Sequence, residues 1–324
     1  MNVDGPWPVL ITRRLAPGVL ERLQPACRLT VHDHDEPMPR PDLLRAAAGQ
    51  AGLLCTLADR VDAELLDAAG DNLRVIANHA VGAHNIDMAA CQARGIAVTT
   101  TPGVLTEATA DQAWALLLAA ARRLGEGERW LRSGRPWQWA PTFLLGADLT
   151  GATLGILGAG RIGQAIARRA AGFRMRVTYH NRHRLPAAVE EDLHASWQPL
   201  DQLLAACDAL IVACPLTPDT RLLLNAGRLA QLKPTAVLVS ITGGIVDEHA
   251  LAASLDAQQL FAAALDSYIA EPAVHPGLLR QESVTLAPHL GSATHGTRYA
   301  MGVLAADNIL AVLAGDPPRT PATA

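Results

Sequence analysis

Short apolar, β-branched runs alternate along the chain with longer Ala- and Leu-rich stretches of helical pattern. Val9–Thr12, Leu53–Thr56, Val75–Asn78 and Ala97–Thr100 read as strands, with helical patterns such as Val61–Ala69 and Asp87–Arg94 between them. A second series begins at Thr153–Leu157. It continues through Arg176–Tyr179, Ala209–Ala213, Ala236–Ile241, Phe261–Leu265 and Val284–Ala287. Such alternation predicts βαβ units and parallel sheets, here two of them. A long helix, Thr106–Arg123, with no Gly or Pro inside, separates the two series, and another, His295–Ala314, closes the chain. Both stand where crossovers between domains belong, which returns the last helix to the first domain. The pattern therefore predicts an α/β chain of two doubly wound domains, one discontinuous (residues 1–100 and 290–324) and one continuous (residues 101–289). No internal repeat is present, and Pro317–Ala324 is expected to be a loose tail.

Composition narrows the function. With 324 residues, 50% of them hydrophobic, the chain can bury two cores, and with only 4% aromatics those cores must lean on Ala, Leu, Val and Ile. A net charge of −4 leaves no broad basic field, which argues against nucleic-acid and membrane-surface partners. Apolar runs such as Ala113–Ala121 are too short to span a bilayer, and Met1–Pro8 does not read as a signal peptide. Five scattered cysteines without a C-x-x-C pair point to a reducing cytoplasm and away from a disulfide framework or a metal site. Lys233 is the only lysine and precedes a proline, which argues against Schiff-base chemistry.

The strand Thr153–Leu157 runs directly into Gly158-Ala-Gly160-Arg161-Ile162-Gly163 and then a helix. In that context G-x-G-x-x-G marks a dinucleotide site. Gly158 allows the tight turn, Gly160 lets backbone approach a pyrophosphate, and Gly163 lets helix and strand pack closely, with the helix N-terminus facing the phosphates. About twenty residues on, NAD enzymes place an acid that bonds the ribose 2′-hydroxyl. Here Asn181 stands at that place, followed by Arg182 and Arg184. Without the carboxylate a 2′-phosphate is not repelled, and arginine suits its geometry, so NADP(H) is preferred and NAD(H) possible. The alternative is that both arginines are solvated loop residues.

Reducing a ketone needs a general acid, a partner that tunes it, and donors that orient the substrate. Candidates cluster late in the second series: Asp266 at a strand end, Glu271-Pro272 soon after, and His289 directly after the last strand. At this point the sequence resembles the D-isomer-specific 2-hydroxyacid dehydrogenases, and among them the glyoxylate/hydroxypyruvate reductases. The resemblance covers nearly the whole chain and rests on Thr101–Asp111, Gly158–Gly163, Cys214-Pro-Leu-Thr-Pro218, Val246-Asp-Glu248, Glu271-Pro272 and Pro288–Thr294. It implies a flavodoxin-like substrate domain beside an NAD(P)-binding Rossmann domain. It implies His289 as general acid, Glu271 as its carboxylate partner and Asp266 as holder of the nicotinamide carboxamide. It further implies cofactor contacts from Thr109, Arg161, Ile162, Cys214, Pro215 and Thr220, and a substrate carboxylate bound by N–H groups within Ala80–Ala83, that is Val81, Gly82 and Ala83. A homodimer is implied too, with the stretch around Trp139 reaching toward the neighbour's site. Trp137 and Trp139 read equally well as ordinary interface aromatics.

The pattern breaks in one place that matters. The family segment Asn-x-x-Arg-Gly-x-x-Val-Asp-Glu reads here Val239-Ser-Ile-Thr242-Gly-Gly-Ile-Val-Asp-Glu248, which puts Thr242 where the substrate-binding arginine stands. One neutral hydroxyl replaces a charged fork. The cost in transition-state binding is expected to be ~3–5 kcal/mol, roughly 10²–10³-fold or more in rate. His79 and His84 also appear where relatives carry an aromatic and an acid. Either a protonated imidazole partly replaces the arginine, or both are neutral loop residues. The rival readings are a reductase for an atypical substrate, and a catalytically impaired NADP-binding homologue acting as sensor or binding protein.

Overall fold

The computed structural model describes residues 6–322. The first five residues of the Met1–Pro8 opening, and Thr323 and Ala324 of the tail, lie outside that range. The chain divides into two compact units. One takes in the chain as far as Leu105 and again from Ala293; the other is Thr106–Ser292.

The first unit holds a five-stranded parallel sheet: β1 (Trp7–Ile11), β2 (Cys27–Val31), β3 (Gly52–Cys55), β4 (Val75–Asn78) and β5 (Ala97–Thr99), in the order β2-β1-β3-β4-β5. That is the flavodoxin-type doubly wound order. β3 and β4 are buried at every position, as a sheet covered on both faces requires. The helices Arg40–Ala47 and Ala63–Ala69 cover one face, and Ala305, Ala306 and Ile309 of the helix His295–Ala314 cover the other. Thr294 caps that last helix by accepting from the amide of Thr297, and Gly315 ends it in the left-handed region at φ 90°.

The second unit holds a seven-stranded parallel sheet: β6 (Thr153–Leu157), β7 (Arg176–His180), β8 (Ala195–Trp197), β9 (Ala209–Val212), β10 (Val237–Ser240), β11 (Ala262–Leu265) and β12 (Val284–Leu286). Their order, β12-β11-β10-β9-β6-β7-β8, is the dinucleotide-binding order extended by one strand, and it reverses between β6 and β9. The helix Thr106–Ala121 is buried along much of its length and packs on β10, β11 and the helix Arg161–Ala170. Trp114 fixes that packing by donating from Nε1 to the Ile166 carbonyl at 3.1 Å and stacking on Phe173. At the sheet end away from the strand C-termini, Lys233 pairs with Asp208 at 2.7 Å, and Asp208 accepts from the Thr153 amide.

Three features depart from the sequence reading. β2 and β8 are edge strands without an apolar run: β2 alternates burial with exposure and β8 is three residues long. Arg123 turns left-handed at φ 53°, ends the long helix and starts another, Leu124–Arg132. The tail is not loose as far as Ala322. Thr320 donates from Oγ1 to the Thr100 carbonyl at 2.6 Å, and the Ala322 amide donates to the Val98 carbonyl at 2.8 Å. Among the described residues no helix is long and apolar enough to cross a membrane.

Candidate active site

Ligands of open α/β sheets bind outside the strand C-termini where the order reverses. In the second unit that point lies between β6 and β9, and the glycine turn fills it. Gly158 has φ 101°, and a Cβ there would lie 2.3 Å from the Cys214 amide nitrogen after β9. A Cβ on Gly163 would lie 2.2 Å from the Gly158 carbonyl oxygen, so helix and strand pack as closely as backbone allows. A Cβ on Gly160 would meet nothing within 4 Å. Gly160 is thus the open glycine, directly before the amides of Arg161 and Ile162, which head the helix and have no partner within it. This turn fits a dinucleotide pyrophosphate. Cys214 is buried, which pushes its thiol up to about 11. The Thr220 hydroxyl closes the following loop by donating to the Pro215 carbonyl at 2.7 Å.

Past β7 the two arginines divide. Asn181 Oδ1 accepts from the Ala159 amide at 2.7 Å and ties this loop to the glycine turn. Arg182 is exposed, with Asp219 3.9 Å away. Arg184, 67% exposed, is paired within its own segment. It forks onto Glu190 through Nε and Nη2 at 2.6–2.9 Å. Tyr179 donates to the same carboxylate at 2.6 Å, and these bonds hold Glu190 down to about 2.

The reaction groups stand after three adjacent strands. His289 follows β12 in the left-handed region, φ 56°. Its Nδ1 donates to Glu271 Oε2 at 2.9 Å, which leaves Nε2 as the other proton-carrying nitrogen of the ring. Glu271 Oε1 accepts from Ser267 Oγ at 2.6 Å and from the Tyr268 amide at 2.9 Å. Burial alone would raise this carboxyl, but the bonds from His289 and Ser267 outweigh it and hold it down to about 2. Glu271 therefore stays ionised through the neutral range. Asp266, buried after β11, accepts from the amides of Leu290 and Gly291, each at 2.8 Å, and from Gln112 Nε2 at 3.3 Å. The carboxylate expected to hold a nicotinamide carboxamide thus also pins the loop that carries His289. Thr109 sits against the same loop: a Cβ on Gly291 would lie 3.2 Å from its Cγ2. Thr242 follows β10, half-buried, and its carbonyl accepts from Ser240 Oγ at 2.9 Å. A Cβ on Gly243 would lie 2.4 Å from the Tyr268 carbonyl oxygen, so the next position has no room for a side chain.

In the first unit, the loop 79–84 follows β4. Asn78, fully buried, donates from Nδ2 to the Gly82 carbonyl at 2.8 Å and to Asn85 Oδ1 at 2.9 Å. Asn85 in turn donates to the carbonyls of Thr56 and Asp59. The Gly82 carbonyl is thereby held inward, while Val81 and Gly82 are exposed. His79 is no substitute cation: it is buried, donates from Nε2 to the Arg298 carbonyl at 3.3 Å, and burial pulls its imidazole down to about 4. His84 is exposed and folds back on Gly82, where a Cβ would lie 3.3 Å from its Nδ1. Trp139 is 82% exposed. The supporting side chains Ser267, Gln112, Asn78, Asn85 and Glu190 carry no periodic or motif signal, because they act across turns that only the fold closes.

The sequence profile described as D-isomer specific 2-hydroxyacid dehydrogenase, NAD binding domain, matches residues 114–291. The chain belongs to this family. It is 44% identical over 318 residues to the glyoxylate reductase of Thermococcus onnurineus, covering 96% of this chain and 94% of that protein. It is 43% identical over 294 residues to the glyoxylate reductase/hydroxypyruvate reductase of Mus musculus, covering 90% of this chain and 89% of that protein. Among solved structures, the NADPH-dependent glyoxylate/hydroxypyruvate reductase of Sinorhizobium meliloti, in complex with NADP and malonate, superposes with a TM-score of 0.83. It is 34% identical, and the match covers 98% of this chain and 97% of that one. As a member of the D-isomer specific 2-hydroxyacid dehydrogenases, this chain is an NAD(P)-dependent oxidoreductase.

Proposed function

We propose that this dehydrogenase reduces small 2-keto acids of the glyoxylate and hydroxypyruvate kind to D-2-hydroxy acids, with NADP(H) preferred over NAD(H). The observation that carries the reading is the His289–Glu271 pair at 2.9 Å, on a loop that Asp266 anchors. The names of the relatives from Thermococcus onnurineus, Mus musculus and Sinorhizobium meliloti agree with it. Bound NAD(P)H supplies the hydride. Gly158, Gly160, Arg161, Ile162 and Gly163 hold its pyrophosphate, and Cys214, Pro215 and Thr220 border it. Asn181 and Arg182 hold the 2′-phosphate end, and Thr109 and Asp266 the nicotinamide end. The amides of Val81, Gly82 and Ala83 bind the substrate carboxylate, and Thr242 adds one neutral hydrogen bond. His289 releases its Nε2 proton to the substrate oxygen as negative charge develops there, while ionised Glu271 steadies the ring.

Two further parts of the proposal concern setting. The homodimer is supported by the exposure of Trp139, which extends toward a partner's site in this reading. The cytoplasm is supported by five free, buried cysteines.

Thr242 favours one rival: a reductase whose substrate is larger or lacks a simple carboxylate. NADPH consumption separates the two. Turnover on glyoxylate or hydroxypyruvate supports the small-acid reading. Turnover confined to 2-keto acids with bulky side chains, or to ketones without a carboxylate, establishes the rival. Arg182→Glu is expected to raise the KM for NADPH by roughly 10–100-fold, the worth of one charge-assisted bond, and to leave the KM for NADH nearly unchanged. Equal effects on both cofactors would remove Arg182 from the 2′-phosphate site.

A further inference from the structure

We propose that Ser267 is a positioning residue for the acid pair: its hydroxyl holds Glu271 in the orientation that presents Oε2 to His289. The inference rests on the reading of His289 as general acid. Ser267 is 9% exposed, while the Glu271 side chain is 33% exposed and can turn toward water. Two further carboxylates flank the same turn. Asp266 precedes Ser267, and Glu248 Oε1 accepts from the Ile269 amide at 2.6 Å. The Tyr268 phenol faces away, donating to the carbonyls of Leu265 and Ala287. Against this, Ser267 Oγ and the Tyr268 amide both bind Oε1, at 2.6 and 2.9 Å, so Oε2 alone is left to meet His289 Nδ1. The hydroxyl lies close to the loop after β10: a Cβ on Gly243 would lie 3.0 Å from Ser267 Oγ. The serine sets the carboxylate, and the carboxylate sets the acid.

A carboxylate held against Nδ1 favours the protonated ring that reduction requires. Freed to turn outward, it favours that ring less, and the ring gives up its proton at lower pH. Ser267→Ala is therefore expected to lower kcat roughly tenfold, part of the 10²–10⁴ that a positioned acid contributes. The KM for the keto acid should stay within about twofold, because no substrate contact is lost. The alkaline limb of the kcat profile should move to lower pH by about half a unit or more, the worth of one hydrogen bond. In the free protein, the low-field proton signal of a histidine Nδ1–H bonded to carboxylate should weaken, while the melting temperature stays near that of the wild type. An unmoved limb with an unmoved proton signal overturns the proposal whatever kcat does, and so does a limb that moves upward. His289→Asn, measured beside it, separates the two readings. If that variant keeps its activity, both fall; if it is inactive while Ser267→Ala behaves as wild type, only the serine's role falls.

Discussion

Thr242→Arg is expected to raise kcat/KM for glyoxylate or hydroxypyruvate by roughly 10²-fold or more, the equivalent of ~3–5 kcal/mol of transition-state binding. An arginine at this position offers two parallel N–H donors and a full charge to a carboxylate and a keto oxygen, where threonine offers one hydroxyl. The half-buried loop after β10 carries Thr242 beside the turn that holds Glu271. Only this position can take the side chain, because Gly243 lies against the Tyr268 carbonyl with no space for a Cβ. The gain should appear mainly in kcat, since charge on the keto oxygen grows toward the transition state. Steady-state kinetics of both proteins check it. A rise of that size shows an intact reductase scaffold limited by one missing cation. No rise, together with good turnover by the wild type, shows that other groups already meet the substrate's charge.

His289→Asn is expected to lower kcat for reduction by roughly 10²–10⁴-fold, the contribution of a positioned general acid. The change is chosen to spare the backbone. His289 sits at φ 56°, a region that asparagine enters more readily than most residues. Asp266 still accepts from the amides of Leu290 and Gly291, so the loop keeps its anchor. NADPH affinity, followed by fluorescence, should therefore change little while turnover collapses. Turnover within about threefold of the wild type would show that the proton comes from another group, and Glu271 would then have no catalytic partner to hold.

The two predictions draw on different sources of information. The position of His289 after the last apolar run, the glycine turn after Thr153–Leu157 and the threonine before Gly243-Gly244 are all local patterns in the sequence. Their neighbours are not. Ser267 and Glu271 are four residues apart on an irregular turn, with no period to mark them. Asn78 and Asn85 bracket the loop 79–84 and meet only because that loop closes. Arg184 and Glu190 are both ordinary charged residues of a loop and a short helix until Tyr179 and Arg184 meet on the buried Glu190 carboxylate.

What the sequence determined by itself is the class of fold and the order of the chemistry. Buried parallel strands need continuous apolar runs, and helices between them need a longer apolar period, so the alternation survives in the one-dimensional pattern. Edge strands such as β2 and β8 need neither, and they left little trace. Tertiary structure alone decided which charged and polar groups are available. Two arginines two residues apart look alike in sequence, yet Arg184 forks onto Glu190 while Arg182 has Asp219 3.9 Å away. Two histidines five residues apart also look alike, yet burial neutralises His79 while His84 stays exposed. The physical reason is common to both cases. The charge state and reach of an ionisable side chain depend on water lost and partners gained, and the folded backbone fixes both.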